Sequence, residues 1–141
     1  MMEFRDLKKQ YQVLKPKMDQ AVIEVMESSQ FIGGPKVKEL EERLASYVGV
    51  KHCITCGNGT DALTMVLKAW GIKEGDAVFV PSFTFFASAE VVSFEGATPV
   101  FVDVDRDTFN IDVHSLEAAI KAVLKEGKLT PRVVMPVDLF G

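Results

Sequence analysis

The residues best suited to chemistry are Cys56-Gly57-Asn58-Gly59-Thr60-Asp61-Ala62-Leu63, between a short apolar stretch and an amphipathic one. The apolar spacing after Asn58 predicts a helix. A helix opens with unpaired N–H groups and a partial positive charge, which together attract phosphate. Gly57 and Gly59 remove side chains that would hold a phosphate away from the backbone. Asn58 and Thr60 add an amide and a hydroxyl within reach. Asn58 or Gly57 is also expected to cap the helix, with Asp61 answering three residues on as an imperfect capping box. Capping alone needs neither two glycines nor a threonine, so the junction reads as a phosphate cup.

No Gly-Lys-Ser/Thr sequence follows, which excludes the loop of nucleoside triphosphate enzymes. Gly57-x-Gly59-x-x-Ala62 does satisfy the degenerate dinucleotide pattern. That pattern also wants a carboxylate about 20 residues on, at the end of the next strand. Here the next strand, Ala77 to Val80, ends in Pro81-Ser82, and the nearby acid Asp76 stands at its start. The dinucleotide reading therefore ranks second. Beyond the strand, Pro81-Ser82-Phe83-Thr84-Phe85-Phe86-Ala87-Ser88-Ala89 brings three aromatics to the edge where open α/β sheets bind ligands. Phe83 and Phe86 are spaced to share a helix face and are expected in the core. Phe85 is offset and suited to lay a flat ring against a planar cofactor.

The elements that must position these groups alternate along the chain. Pro16 is expected to open a helix with Met18, Ala21, Val22, Val25 and Met26 on one face, broken by Gly33-Gly34-Pro35. Pro35 starts a second helix with Val37, Leu40, Leu44, Tyr47 and Val48, stopped at Gly49. A strand Cys53–Cys56, a helix Asn58–Trp70, the strand Ala77–Val80, a helix Phe83–Phe94 and a strand Pro99–Val102 follow. Asp112 caps a helix carrying Leu116, Ala119, Ile120, Val123 and Leu124, and residues 133–137 form a last strand. Strands alternating with helices predict a mostly parallel sheet covered on both faces, an α/β fold.

Composition narrows the function classes. Hydrophobic content of 48% and charged content of 26% in 141 residues describe a globular chain able to bury a core. A net charge of −4 gives no general affinity for nucleic acid or anionic membrane. No apolar run has the length of a membrane span, and Met1-Met2-Glu3-Phe4-Arg5-Asp6 lacks a signal peptide's apolar core, so a cytoplasmic location is expected. Cys53-x-x-Cys56 invites a zinc or redox reading. Zinc needs two more ligands, and only His52 and His114 are available, far apart in sequence. Buried, reduced thiols behaving as small hydrophobes are the better reading, with His114 and Lys68 on the surface and Asp105-Arg106-Asp107 a charged loop.

The chain resembles the pyridoxal-phosphate-dependent nucleotide-sugar aminotransferases of fold type I, and within them the branch acting on UDP-linked 3-keto sugar acids. The resemblance rests on Asn58-Gly59-Thr60-Asp61-Ala62-Leu63, Pro81-Ser82-Phe83-Thr84-Phe85 and Val137-Asp138-Leu139-Phe140-Gly141. Glu3-Phe4-Arg5-Asp6-Leu7, Gln30-Phe31-Ile32-Gly33-Gly34-Pro35 and Pro99-Val100-Phe101-Val102-Asp103-Val104-Asp105 extend it from end to end. It implies the N-terminal part of a three-layer αβα large domain, with residues 1–34 a helical segment and 35–141 an incomplete cofactor-binding domain. Pyridoxal 5′-phosphate would be held by Asn58, Gly59, Thr60 and Phe85. The lysine that bonds to the cofactor aldehyde would lie beyond Gly141, so no catalytic residue is assigned here and this stretch alone is expected to be inactive. Asp138 would sit in a turn ahead of the carboxylate that faces the pyridine nitrogen. Partners implied are a nucleotide sugar, glutamate and a second subunit, with the Phe31–Pro35 loop near the active site of a homodimer. Three alternatives stay open: a family sugar dehydratase with histidine in place of the lysine, a dinucleotide-binding α/β module, and a non-catalytic binding protein.

Overall fold

The computed structural model describes residues 5–141; Glu3 and Phe4 of the opening motif lie outside the described residues. Two compact units result, one ending at Thr55 and the other Cys56–Gly141.

The first unit holds α1 (Leu7–Ser28) and α2 (Pro35–Val48). The expectation that Pro16 opens a helix is corrected: α1 starts at Leu7, where Asp6 caps it by accepting from the Lys9 N–H at 2.8 Å. Pro16 sits inside and cannot donate to the preceding turn. A side-chain brace spans the gap. The Tyr11 hydroxyl donates to Asp19 at 2.8 Å, and the Lys15 ammonium bonds both Tyr11 and Asp19. α2 begins at Pro35 and ends at Gly49 in the left-handed conformation, as expected from those residues. No residue of either helix is buried, so the apolar faces legible in the sequence stand open within this unit.

The expected strand at Cys53–Cys56 is also corrected. Residues 52–56 are in no strand among the described residues. Thr55 explains this locally, because its N–H and its hydroxyl both donate to the Glu41 carboxylate at 2.8 Å instead of entering a ladder.

The second unit contains α3 (Gly59–Ala69), β1 (Asp76–Pro81), α4 (Ala87–Phe94), β2 (Thr98–Val102), α5 (Val113–Glu126) and β3 (Thr130–Val134). The strands form a parallel sheet in the order β2-β1-β3. Every residue of β1 is buried, and its alternating side chains divide the core in two. Val78 and Val80 pack with Leu67 of α3 and with Val91 and Val92 of α4. Ala77 and Phe79 pack with Val102 of β2 and with Leu116, Ile120 and Val123 of α5. Helices therefore cover both faces, giving the three layers expected.

Two elements of this unit are displaced by three residues or more. β3 is Thr130–Val134, in place of the expected residues 133–137. The helix after β1 starts at Ala87, not Phe83. Phe83 and Phe86 thus precede the helix, so their i, i+3 spacing defines no helical face here, and both are exposed instead of core.

Candidate functional site

α3 and β1 are joined by residues 70–75, and Leu63 and Leu67 lie on the same core face as Val78 and Val80. Helix and strand are each about 16–20 Å long. α3 therefore runs back along β1, and its N-terminus lies at the edge where β1 ends. The loop 82–86 leaves from that same edge.

At the start of α3 the cap is Asn58. Its Oδ1 accepts from the Asp61 N–H at 2.9 Å, and its Nδ2 donates to Asp61 Oδ2 at 3.1 Å. The Ala62 N–H makes the first helical bond, to the Asn58 carbonyl at 3.1 Å. That leaves the Gly59 and Thr60 N–H groups without a protein acceptor among the described residues. The Thr60 hydroxyl is also without a hydrogen-bond partner there, while its carbonyl accepts from the Thr64 hydroxyl at 2.9 Å. Asn58 has both polar atoms turned to Asp61, so its chief structural task is to fix the turn that presents its two neighbours.

The two glycines differ in cause. A Cβ on Gly57 would come within 2.8 Å of Asp61 Oδ2, so glycine there makes room for the capping carboxylate. A Cβ on Gly59 would meet nothing within 4 Å, and its φ is not positive. Neither backbone conformation nor packing in this chain calls for glycine at 59. The open Cβ position belongs to a residue whose own N–H, like that of Thr60, lacks a protein acceptor among the described residues. Such a cradle accepts an anion, because the first helical turn offers donors and dipole together.

Phe85 stands on the neighbouring segment, 74% exposed. The residues around it are pinned. The Ser82 N–H donates to the Val102 carbonyl at 2.8 Å, the Thr84 hydroxyl lies 2.8 Å from the buried Ser88 hydroxyl, and the Ser88 N–H donates to the Phe85 carbonyl at 3.1 Å. A large apolar ring held in water on a fixed backbone is a surface suited to stacking.

Other candidates fall where the sequence placed them. Lys68 is exposed, 3.8 Å from Glu95, and His114 is exposed at the start of α5. Asp76 accepts from the Lys73 N–H at 3.1 Å at the start of β1, away from the ligand edge. The cysteines are an exception, and the expectation of burial is corrected: outside any strand, Cys53 is only half-buried and Cys56 is exposed, its thiol donating to the Asn58 carbonyl at 3.2 Å, while both are free. Asp138 lies in a turn, where its carbonyl accepts from the Gly141 N–H at 3.3 Å.

One cluster escaped the sequence reading. Phe83, Phe109 and Phe140 meet ring to ring, with centroids 5.5, 5.6 and 6.2 Å apart. Phe109 takes a φ of 61°, unusual for a bulky residue. The charged loop before it supplies the reason. Asp105 accepts from the Thr108 N–H, the Thr108 hydroxyl and the Asp107 N–H, and these bonds, that of the Thr108 N–H foremost, hold its carboxyl below the usual range. An aspartate three residues ahead of a threonine is a turn signal, and it was the available clue.

Residues 12–141 match the DegT/DnrJ/EryC1/StrS aminotransferase family. The chain is 48% identical to a UDP-2-acetamido-2-deoxy-3-oxo-D-glucuronate aminotransferase of Pseudomonas aeruginosa, covering all of this chain and 37% of that protein. It is 40% identical to a dTDP-3-amino-3,6-dideoxy-alpha-D-galactopyranose transaminase of Aneurinibacillus thermoaerophilus, again over all of this chain and 37% of the other. Among solved structures, a family aminotransferase from Brucella abortus superposes with a TM-score of 0.96 at 52% identity, over all of this chain and 38% of that one. A sugar aminotransferase from Streptococcus pneumoniae described as putative, in its PLP form, aligns over 84% of this chain and 28% of that one, at 38% identity and a TM-score of 0.75. The chain spans little more than a third of the length of the first three of these relatives. It belongs to the DegT/DnrJ/EryC1/StrS aminotransferase family, with the αβα architecture of the fold type I enzymes.

Proposed function

We propose that the protein carrying this chain is a pyridoxal-phosphate-dependent aminotransferase. It moves an amino group, from glutamate, to the keto group of a nucleotide-linked sugar for amino-sugar and polysaccharide biosynthesis. The observation that carries the reading is the first turn of α3 in a chain of this family: two unpartnered N–H groups, an uncommitted hydroxyl and the space over Gly59. The 48% identity to the Pseudomonas aeruginosa protein supports a UDP-linked 3-keto sugar acid as the acceptor.

The residues present fit the cofactor. Gly59 and Thr60 would hold its phosphate through their N–H groups, and the Thr60 hydroxyl would add a third donor. Asn58 keeps that turn in place by closing on Asp61. Phe85 would cover one face of the pyridine ring and keep water from it. When bound, pyridoxal phosphate supplies the electron-withdrawing ring on which amino groups are exchanged. This chain's part is to anchor and orient.

In this reading residues 35–141 are the leading part of the cofactor-binding domain, and residues 1–34 are a helical segment. A homodimer is part of the proposal, supported by the exposed apolar side chains Val22, Met26, Phe31 and Ile32. So is a cytoplasmic location, supported by the free thiols of Cys53 and Cys56. Among the described residues no helix is long and apolar enough to cross a membrane.

The test compares pyridoxamine phosphate with pyridoxamine by equilibrium dialysis, amines that do not condense with lysines. One charge-assisted hydrogen bond contributes about 1.5–3 kcal/mol, so the phosphate form should bind at least about tenfold more tightly. Equal binding of the two would overturn the proposal.

A further inference from the structure

The proposed stacking ring, Phe85, is not itself packed, so something must hold its backbone at a fixed height. The three meeting rings of Phe83, Phe109 and Phe140 come from three separate segments, each following the end of a strand. Phe83 follows β1, Phe109 lies between β2 and α5, and Phe140 follows β3. Centroid spacings of 5.5–6.2 Å, with tilted and edge-on planes, are those of favourable aromatic pairs.

Phe109 differs from the other two in how its backbone is secured. A left-handed φ is unfavourable for a phenylalanine and persists only where the surroundings over-determine it. Here they do. The Phe109 N–H donates to the Asp105 carbonyl at 2.9 Å, the Asp105 N–H to the Asn110 carbonyl at 2.8 Å, and the Asp112 N–H to the Asp103 carbonyl at 2.9 Å. Val104 and Ile111 form an antiparallel bridge across the base of the loop, and the Asp103 N–H is tied to the Ser115 hydroxyl of α5 at 3.1 Å. The loop is a post anchored on α5. It carries one ring, and that ring touches the residue two positions ahead of Phe85.

We infer that Phe109 is a positioning residue for the cofactor site: through Phe83 it sets the height of the Ser82–Phe86 segment and so the plane that Phe85 offers to the pyridine ring. The inference rests on the proposed cofactor reading and deepens it. It also accounts for why a strained, partly exposed aromatic stands outside both core clusters.

The experiment measures pyridoxamine phosphate affinity and the induced circular dichroism of the bound ring in the wild type, Phe109→Ala, Phe109→Tyr, Phe85→Ala and the double variant. Pyridoxamine serves as the phosphate-free control. Phe109→Ala should weaken binding roughly three- to tenfold, the effect of one or two aromatic pairs, and alter the dichroism. Phe109→Tyr, which keeps the ring, should restore both. Because Phe109 acts through Phe85, the double variant should bind no more weakly than Phe85→Ala alone. Should Phe109→Ala not fold, Phe109→Leu takes its place in the cycle, with the same expectation. Wild-type affinity and dichroism in the ring-less variants, or losses that add in the double variant, would overturn the inference. Equal wild-type binding of pyridoxamine phosphate and pyridoxamine would instead overturn the phosphate site beneath it.

Discussion

Replacing Gly59 with alanine separates a structural glycine from a ligand-binding one, because the two predict opposite signs. The added Cβ meets no atom within 4 Å, the φ is not positive, and the position is the first residue of α3. Alanine at such a site reduces the freedom of the unfolded chain and should stabilise the protein by about 0.4–1 kcal/mol. In a domain of this size that raises Tm by about 1–4 °C. On the phosphate reading, the same methyl group would crowd an anion bound at the Gly59 and Thr60 N–H groups. A phosphate pushed off even one of those donors loses about 1.5–3 kcal/mol, so pyridoxamine phosphate affinity should fall roughly tenfold to a hundredfold. Thermal melts without ligand and equilibrium dialysis with it read the two effects independently. A raised Tm with unchanged affinity would refute the claim that the open space is kept for phosphate. A lowered Tm would refute the description of the helix start.

Thr60→Val keeps the shape and removes the hydroxyl, so ligand-free melting should barely change while cofactor affinity drops by roughly ten- to a hundredfold; an early melt with wild-type binding would make Thr60 a structural residue only. Asn58→Ala removes the cap and should cost about 0.5–2 kcal/mol in denaturant titration, with Asn58→Ser recovering most of it. Phe85→Ala should leave Tm nearly unchanged, the ring being mostly in water, yet shift the absorbance of bound pyridoxamine phosphate. Glu41 is held below the usual glutamate range by bonds from the Thr55 N–H first and the Thr55 hydroxyl second. Its depressed folded pKa means a stabilisation present above the unfolded value of about 4.3 and lost as pH falls through the folded one. Glu41→Gln should therefore melt below wild type at neutral pH, and the gap should close on acidification; a gap that persists in acid would show that the carboxylate's charge is not what Thr55 binds.

What was legible in the sequence was what local chemistry decides. Asn58, Asp112, Gly49 and Gly127 mark helix ends because caps and left-handed stops depend on a few adjacent residues. β1 was legible because a strand buried on both faces is a continuous apolar run. Where tertiary surroundings decide, the reading slipped. The start of β3, Thr130-Pro131-Arg132, holds a proline and two polar residues, so it lacks the apolar run by which a strand is read. Cys53–Cys56 has a strand's composition, but a side chain of α2 takes the Thr55 donors. Phe83 and Phe86 match a helical face by spacing, yet the chain bends until Ala87, and the left-handed Phe109 leaves no signature in apolar spacing. In the candidate site, the donors at Gly59 and Thr60 could be reasoned from residue types alone. That Asn58 is turned toward Asp61, and that Gly57 and Gly59 are glycines for different reasons, needed coordinates.

The central claim is that the backbone N–H groups of Gly59 and Thr60 receive a phosphate. Titrating the ¹⁵N-labelled protein with pyridoxamine phosphate, and separately with pyridoxamine, while following the amide correlation spectrum tests it most directly. The Gly59 and Thr60 amide signals should move on adding the phosphate form and stay in place with the phosphate-free one. Saturable binding of pyridoxamine phosphate that leaves both signals at their ligand-free positions would contradict the account.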